Sequence, residues 1–245
     1  MKLLMPKQHG AWAMIAVPFL AGIGASHAVW LHIPLFLGWL SLYLASYPLL
    51  LAVKSVNKSG EYARWTAIYS AAALVFLLPP IWSRPALIWF GVAMIPFLAI
   101  NFSFAKHKKE RAFINDICAV MEMSLGGPAS YFAATGQINA ISVLVWLLST
   151  LFFLGSVFYV KMHIRERNNM AFHRASLCYH IAVPCAVALT GLLLLSAAYI
   201  PSLVRAYVCN GRQLTPRTIG IIEICNSIVF TVVLIVGFRY VYGLV

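Results

Sequence analysis

From Ala140 to Val160 the chain reads AISVLVWLLSTLFFLGSVFYV without a charged residue, and Lys161 closes the run. An α-helix needs about 20 such residues to cross the hydrocarbon of a bilayer. Comparable runs recur on both sides. We place spans at residues 11–27, 32–53, 65–82, 86–104, 116–134, 139–161, 176–203 and 219–242. The first is short and rich in Gly, Pro and Ala. The seventh is long enough to hold two tightly joined segments, so the count is about eight, within a range of seven to nine. Lipid forces backbone groups to bond internally, and the runs are too apolar for alternating barrel strands. The expected fold is therefore all-α, a polytopic transmembrane helical bundle.

Composition agrees with that reading. Of the 245 residues, 62% are hydrophobic and only 10% charged, too little polar material to clothe a soluble domain. A single integral membrane domain over residues 1–245 follows. The net charge of +12 does not point to nucleic acid, because the Lys and Arg sit in short loops between spans. Lys2 and Lys7 precede the first span; Lys54, Lys58 and Arg64 follow the second; Lys106, Lys108, Lys109 and Arg111 follow the fourth. Lys161, Arg165, Arg167 and Arg174 follow the sixth, and Arg239 lies near the end. Opposite them stand Arg84, Arg205, Arg212 and Arg217. The positive-inside rule then puts both termini in the cytoplasm of a multi-pass protein of the bacterial cytoplasmic membrane. The N-terminus has no short apolar region followed by a cleavage site, so the first span is expected to be retained. Cys118, Cys178, Cys185 and Cys225 fall in apolar stretches and Cys209 in a polar one, with no C-x-x-C pair and no disulfide framework.

Acidic residues are scarce. There are six, and Asp116 is the lone aspartate, so the chain cannot build the carboxylate clusters that hold magnesium and a diphosphate; no metal site is expected. Glu122 and Glu223 fall inside spans, where a carboxylate is costly unless it is paired, protonated or in a wet cavity. Either a ligand- or proton-handling role or a neutral acid bonded to a neighbouring helix satisfies that condition. The segment Pro6-Lys7-Gln8-His9-Gly10-Ala11-Trp12 gathers special residues just before an apolar run: His9 suits an anionic headgroup, a haem iron or a substrate oxygen, and Trp12 suits the interface. Two basic segments follow spans: Asn101 to Arg111 with Asn115-Asp116 beyond it, and Tyr159 to Asn169. If the helix of the second continues past the membrane, His163 and Arg167 share one face, and Lys161 and Arg165 the next. Guanidinium groups so placed hold phosphate bidentately, although positive-inside topology accounts for the same charges. His27, His32 and His180 show no metal spacing and read as structural. Pro79-Pro80 and Gly126-Gly127-Pro128 look like helix breaks.

Through the segment Pro6 to Trp12 and the basic segment after the sixth span, the chain resembles the YwiC-like family of bacterial membrane proteins. More distantly, its architecture is similar to the UbiA superfamily of intramembrane prenyltransferases. In that superfamily, Asp-rich motifs after the second and sixth helices hold magnesium and a prenyl diphosphate. Here the stretch 47–58 occupies the first motif's place without an aspartate. Phe102-x-x-x-Lys106 is similar to an aromatic-Pro-x-x-Lys-Arg segment, Tyr159 matches a Tyr ahead of the second motif, and His163 and Arg167 stand where D-x-x-x-D has its aspartates.

The resemblance implies a cytoplasm-facing cavity for a phosphorylated or isoprenoid amphiphile, with His163, Arg167 and Asp116 as candidate catalytic residues. His9, Lys106, Asn115, Glu122, Lys161 and Arg165 would bind the substrate. The implied activity is a divergent, magnesium-independent prenyl transfer. Two other readings stand beside it: a non-catalytic lipid- or haem-handling accessory protein, and a proton-coupled small-solute transporter using Glu122 and Glu223. The expected partner is a membrane lipid or isoprenoid ligand; the residues identify neither a cofactor nor a partner subunit.

Overall fold

A computed structural model describes residues 4–6, 9–54 and 59–243, the side chains of His9 and Ser59 excepted. Every described element is helical. In chain order they are α1 (His9–Gly24), α2 (His32–Lys54), α3 (Ser59–Ser83), a short 3-10 turn at Pro85–Leu87, α4 (Ile88–Lys106), α5 (Phe113–Ser124) and α6 (Gly126–Thr135). There follow α7 (Ala140–Ile164), α8 (Met170–Leu189), α9 (Leu193–Ala197), α10 (Ile200–Val208) and α11 (Pro216–Val241). Among the described residues, five stretches are long and apolar enough to cross a membrane: His32–Lys54, Gly60–Ser83, Pro85–Lys106, Ala140–Ile164 and Pro216–Val241. The 26 residues of α11 extend about 39 Å at 1.5 Å per residue.

The outward faces identify the solvent. On α11 the exposed stripe is Ile224, Ile228, Val232 and Val236, while Glu223, Asn226, Ser227 and Thr231 are buried. A helix in water carries the opposite pattern; apolar outside and polar inside is the arrangement for lipid. The exposed Trp30, Trp82 and Trp89 cluster around the α1–α2 and α3–α4 turns, as an interfacial aromatic belt does. The chain is a helical membrane bundle.

The molecule divides into two compact units, Met1–Trp146 and Leu147–Val245, with the boundary inside α7. In unit 1, α2 and α3 form a long hairpin, and α1 packs on α6 through small residues. A Cβ on Gly22 would collide with the Gly127 carbonyl and Ser130 Oγ. Ser130 Oγ–H crosses to the Phe19 carbonyl at 2.7 Å, and His32 Nε2 bonds the Ser130 carbonyl at 2.9 Å while His32 Nδ1 accepts from Val29 N–H at 3.0 Å. His32 is thus fixed in one tautomer as a structural clamp. The fifth expected span is one traverse, α5 and α6, interrupted only at Leu125, whose backbone stays in the right-handed helical region. The break falls where Gly126-Gly127-Pro128 begins.

The seventh expected span is two segments. α8 ends at Leu189, Gly191 turns the chain at φ +83, and α9 with α10 runs back along it. Ser196 Oγ–H donates to the Pro184 carbonyl at 2.7 Å, fixing the antiparallel pair. From there α10 runs parallel to α7: Tyr199 hydroxyl to the Leu148 carbonyl at 2.7 Å, Arg205 to Ser156 at 3.3 Å, and His163 to the Cys209 carbonyl at 3.0 Å. α11 returns alongside α10, with Asn226 on Ser202 and Gly237 against Leu194 and Leu195.

This extra traverse changes the charge map of unit 2. Arg212 and Arg217, expected on the sparsely charged side, flank the α10–α11 turn, and that turn lies beside the end of α7 and the start of α8. Arg205, expected with them in a loop, is instead buried within α10. The carboxyl end of α11, with Arg239, lies at the opposite end of unit 2 from the basic turns.

Candidate functional site

The basic turn of unit 2 holds four of the expected site residues. α7 stops at Ile164: the N–H groups of Arg165 and Glu166 both return to the Lys161 carbonyl, at 2.9 and 2.8 Å. His163 and Arg167 therefore do not share a helical face, which corrects that expectation. His163 is buried, its Nδ1 on the Tyr159 carbonyl at 2.9 Å and its Nε2 on that of Cys209 at 3.0 Å. The ring is occupied by the backbone of its own unit. Lys161 is buried two residues earlier, whereas Arg165 and Arg167 are exposed. Between α7 and α8 the chain from Ile164 to Met170 forms an open depression. Its shape is held from below: Asn169 Oδ1 accepts from Phe172 N–H at 3.1 Å to cap α8, and His173 Nε2 bonds the Arg167 carbonyl at 3.1 Å. Glu166, the local acid, accepts from Asn169 Nδ2 at 2.9 Å. Two guanidinium groups thus stand on an ordered turn whose carboxylate is already engaged.

Deeper in unit 2 lies a polar cluster of which only Glu223 was a candidate. Arg205 of α10 forms a buried ion pair with Glu223 of α11, the two residues 6% and 9% exposed. The guanidinium also donates to Ser156 Oγ at 3.3 Å and lies 4.3 Å over the Tyr159 ring. Glu223 is seven residues from the start of α11, about 10 Å along the helix. Ser202 and Asn226 bond each other on the next turns, at 3.0 Å from Asn226 Nδ2. Arg205, Ser156, Tyr159, His180 and Asn226 escaped the sequence reading as one group. The available signal was charge balance: a lone acid in the last apolar run requires a cation from a neighbouring run.

In unit 1, Glu122 is 3% exposed and accepts from Asn101 Nδ2 at 2.9 Å, inside the helices. At the basic end, Asn115 Nδ2 donates to the Glu110 carbonyl at 3.0 Å, and Glu110 pairs with Lys54 at 2.8 Å. Asp116 sits half-buried in the first turn of α5, and Lys106 is exposed in the last turn of α4. The unit brings Asn115, Asp116 and Lys106 to the α4–α5 turn, while Glu122 lies deeper with Asn101. His9 opens α1, but its side chain lies outside the described residues, as do Lys7, Gln8 and residues 55–58. Among the described residues no three His, Cys, Asp or Glu side chains gather to hold a metal ion.

Comparison with known proteins places this geometry. The family model described as "YwiC-like protein" matches residues 5–131, and YwiC of Bacillus subtilis (strain 168) is 45% identical over 234 residues, covering 96% of this chain and 98% of that protein. The chain belongs to the YwiC-like family. A Haemophilus influenzae (strain ATCC 51907 / DSM 11121 / KW20 / Rd) protein is 37% identical over 237 residues, 97% of this chain and 99% of its own length. No solved structure matches. The family model covers the segment Pro6 to Trp12 and the α1–α6 packing. The alignments with both relatives run on through unit 2, so this YwiC-like chain and its relatives align over the basic turn and the buried pair alike.

Proposed function

We propose that this YwiC-like protein binds a phosphorylated or isoprenoid amphiphile, as one integral domain of the bacterial cytoplasmic membrane with its basic turns facing the cytoplasm. The observation that carries the reading is the turn between α7 and α8. Arg165 and Arg167 are exposed, Glu166 is engaged by Asn169, and the backbone is fixed by His173. Planar guanidinium groups match phosphate oxygens bidentately, and a site at a helix end leaves an attached chain free to lie along the apolar helices. Lys161 is buried in the last turn of α7, four residues before Arg165. In unit 1, taken by itself, the α4–α5 turn with Lys106, Asn115 and Asp116 presents cationic and polar groups of the same kind.

Binding of a long-chain prenyl diphosphate to the purified protein, in EDTA and again with magnesium, tests the reading. Binding that persists in EDTA and weakens in Arg165→Ala and Arg167→Ala supports a cationic, metal-independent site. No binding in either buffer refutes it. Assay of the same preparation for released diphosphate separates a binder from a prenyltransferase, and the distant similarity to the UbiA superfamily stands or falls as a guide to activity on that result.

A further inference from the structure

The core of unit 2 contains more polar chemistry than packing needs. Arg205 and Glu223 are buried against each other, and Arg205 Nε lacks a hydrogen-bond partner. His180 is 4% exposed; its Nδ1 bonds the Ser176 carbonyl at 2.7 Å, which leaves Nε2 as an acceptor with no partner. That Nε2 faces Gly155, where a Cβ would come to 3.3 Å. Ser176 Oγ is fully buried and also lacks a partner. A cavity of about 10 Å³, room for a water-sized molecule, is walled by Gly155, Tyr179, His180, Tyr199 and Ser202. Ser202 is three residues before Arg205 on α10. Buried polar groups without partners are costly in any protein, and more so among helices in lipid.

Charge neutrality limits what this centre can accept. As built, the pair is neutral. A proton added to Glu223 alone leaves the Arg205 cation uncompensated, because a guanidinium keeps its proton. An anion added alone leaves a net negative charge. Adding both together preserves neutrality: the proton bonds to a Glu223 carboxylate oxygen, and the anion takes the place of that carboxylate beside Arg205. We propose that the Arg205–Glu223 centre is a co-binding site for one proton and one small monovalent anion, with the anion held by the guanidinium and the Ser156 hydroxyl. The titratable and charged groups around it are Tyr159 and His163 from α7, His180 from α8 and Cys209 at the end of α10. This site is independent of the headgroup turn and separable from it by experiment.

The test adds formate or chloride to the purified wild-type protein in weakly buffered detergent solution and follows proton uptake with a pH-indicator dye. One proton taken up per anion bound is the expected result, unchanged in Gly91→Ala on α4, which lies outside both sites. Glu223→Gln, which mimics the protonated acid, should bind the anion without proton uptake. Arg205→Lys keeps the charge but loses the planar fork, so anion affinity should fall by roughly tenfold. Absence of anion-dependent proton uptake by the folded wild type overturns the proposal whatever the variants do.

Discussion

Replacing Gly22 by alanine tests the α1–α6 interface at its tightest point. The new Cβ would overlap the Gly127 carbonyl and Ser130 Oγ; the hydroxyl can turn to another rotamer only by leaving its bond to Phe19, and the carbonyl is backbone with no rotamer to change. Gly127 is itself confined, since a Cβ there would lie 2.7 Å from Val145 Cγ1 and 3.0 Å from the Pro18 carbonyl. The two helices must therefore part, straining the 2.7 Å bond from Ser130 to the Phe19 carbonyl. Overpacking costs about 1–3 kcal/mol and a buried hydrogen bond about 1 kcal/mol, so the loss should be about 2–4 kcal/mol. For a chain of this size that lowers the melting temperature by roughly 10 °C. In a background that keeps Cys118 as its single cysteine, a thiol-reactive fluorophore reporting on that thiol, 7% exposed on α5, follows the transition during heating. Gly91→Ala on α4 is the control, because nothing lies within 4 Å of its Cβ position. It should melt unchanged or slightly higher. If Gly22→Ala melts with the wild type, the close packing of α1 on α6 is wrong.

Other parts of the account make separate predictions. Arg205→Ala strands the Glu223 carboxylate among helices and should cost about 3–5 kcal/mol, whereas the double variant Arg205→Met, Glu223→Met should recover most of it in the same melting assay. Asn101→Ala removes the partner of buried Glu122 and should destabilise unit 1 by about 1–3 kcal/mol, with Glu122→Gln far milder because Asn101 can still bond it. In a background lacking the native cysteines, Cys at Arg165 and at Arg212 should react with a membrane-impermeant maleimide from one side, and Cys at Tyr242 from the other. Labelling of Tyr242→Cys from the same side as Arg165→Cys would contradict the α8–α10 hairpin.

Span existence was legible because a run such as Ala140–Val160 leaves no alternative to a helix in lipid. What was not legible was how residues 176–203 divide. Their apolar character is nearly continuous, and the reversal depends on Gly191 adopting a positive φ, which a hydropathy pattern does not mark. That single turn moved Arg205 from an expected loop into the core and carried Arg212 and Arg217 to the basic end. The same limit applied at the site. Spacing placed His163 and Arg167 one turn apart, but the pairing assumed that α7 continues, and the helix ends where two N–H groups share the Lys161 carbonyl. Glu122 and Glu223 were visible as acids inside spans, because a charge there always needs a partner. Their partners, Asn101 and Arg205, depend on helix rotation and were open to the structure alone.

The most direct measurement of the proposed function is photo-crosslinking with a prenyl diphosphate analogue whose reactive group sits beside the headgroup, followed by peptide mapping. Label on the α7–α8 turn, residues 164–170, reduced in Arg165→Ala and Arg167→Ala and unaffected by EDTA, is the predicted result. Label confined to other segments, or label on that turn indifferent to both substitutions, would contradict it.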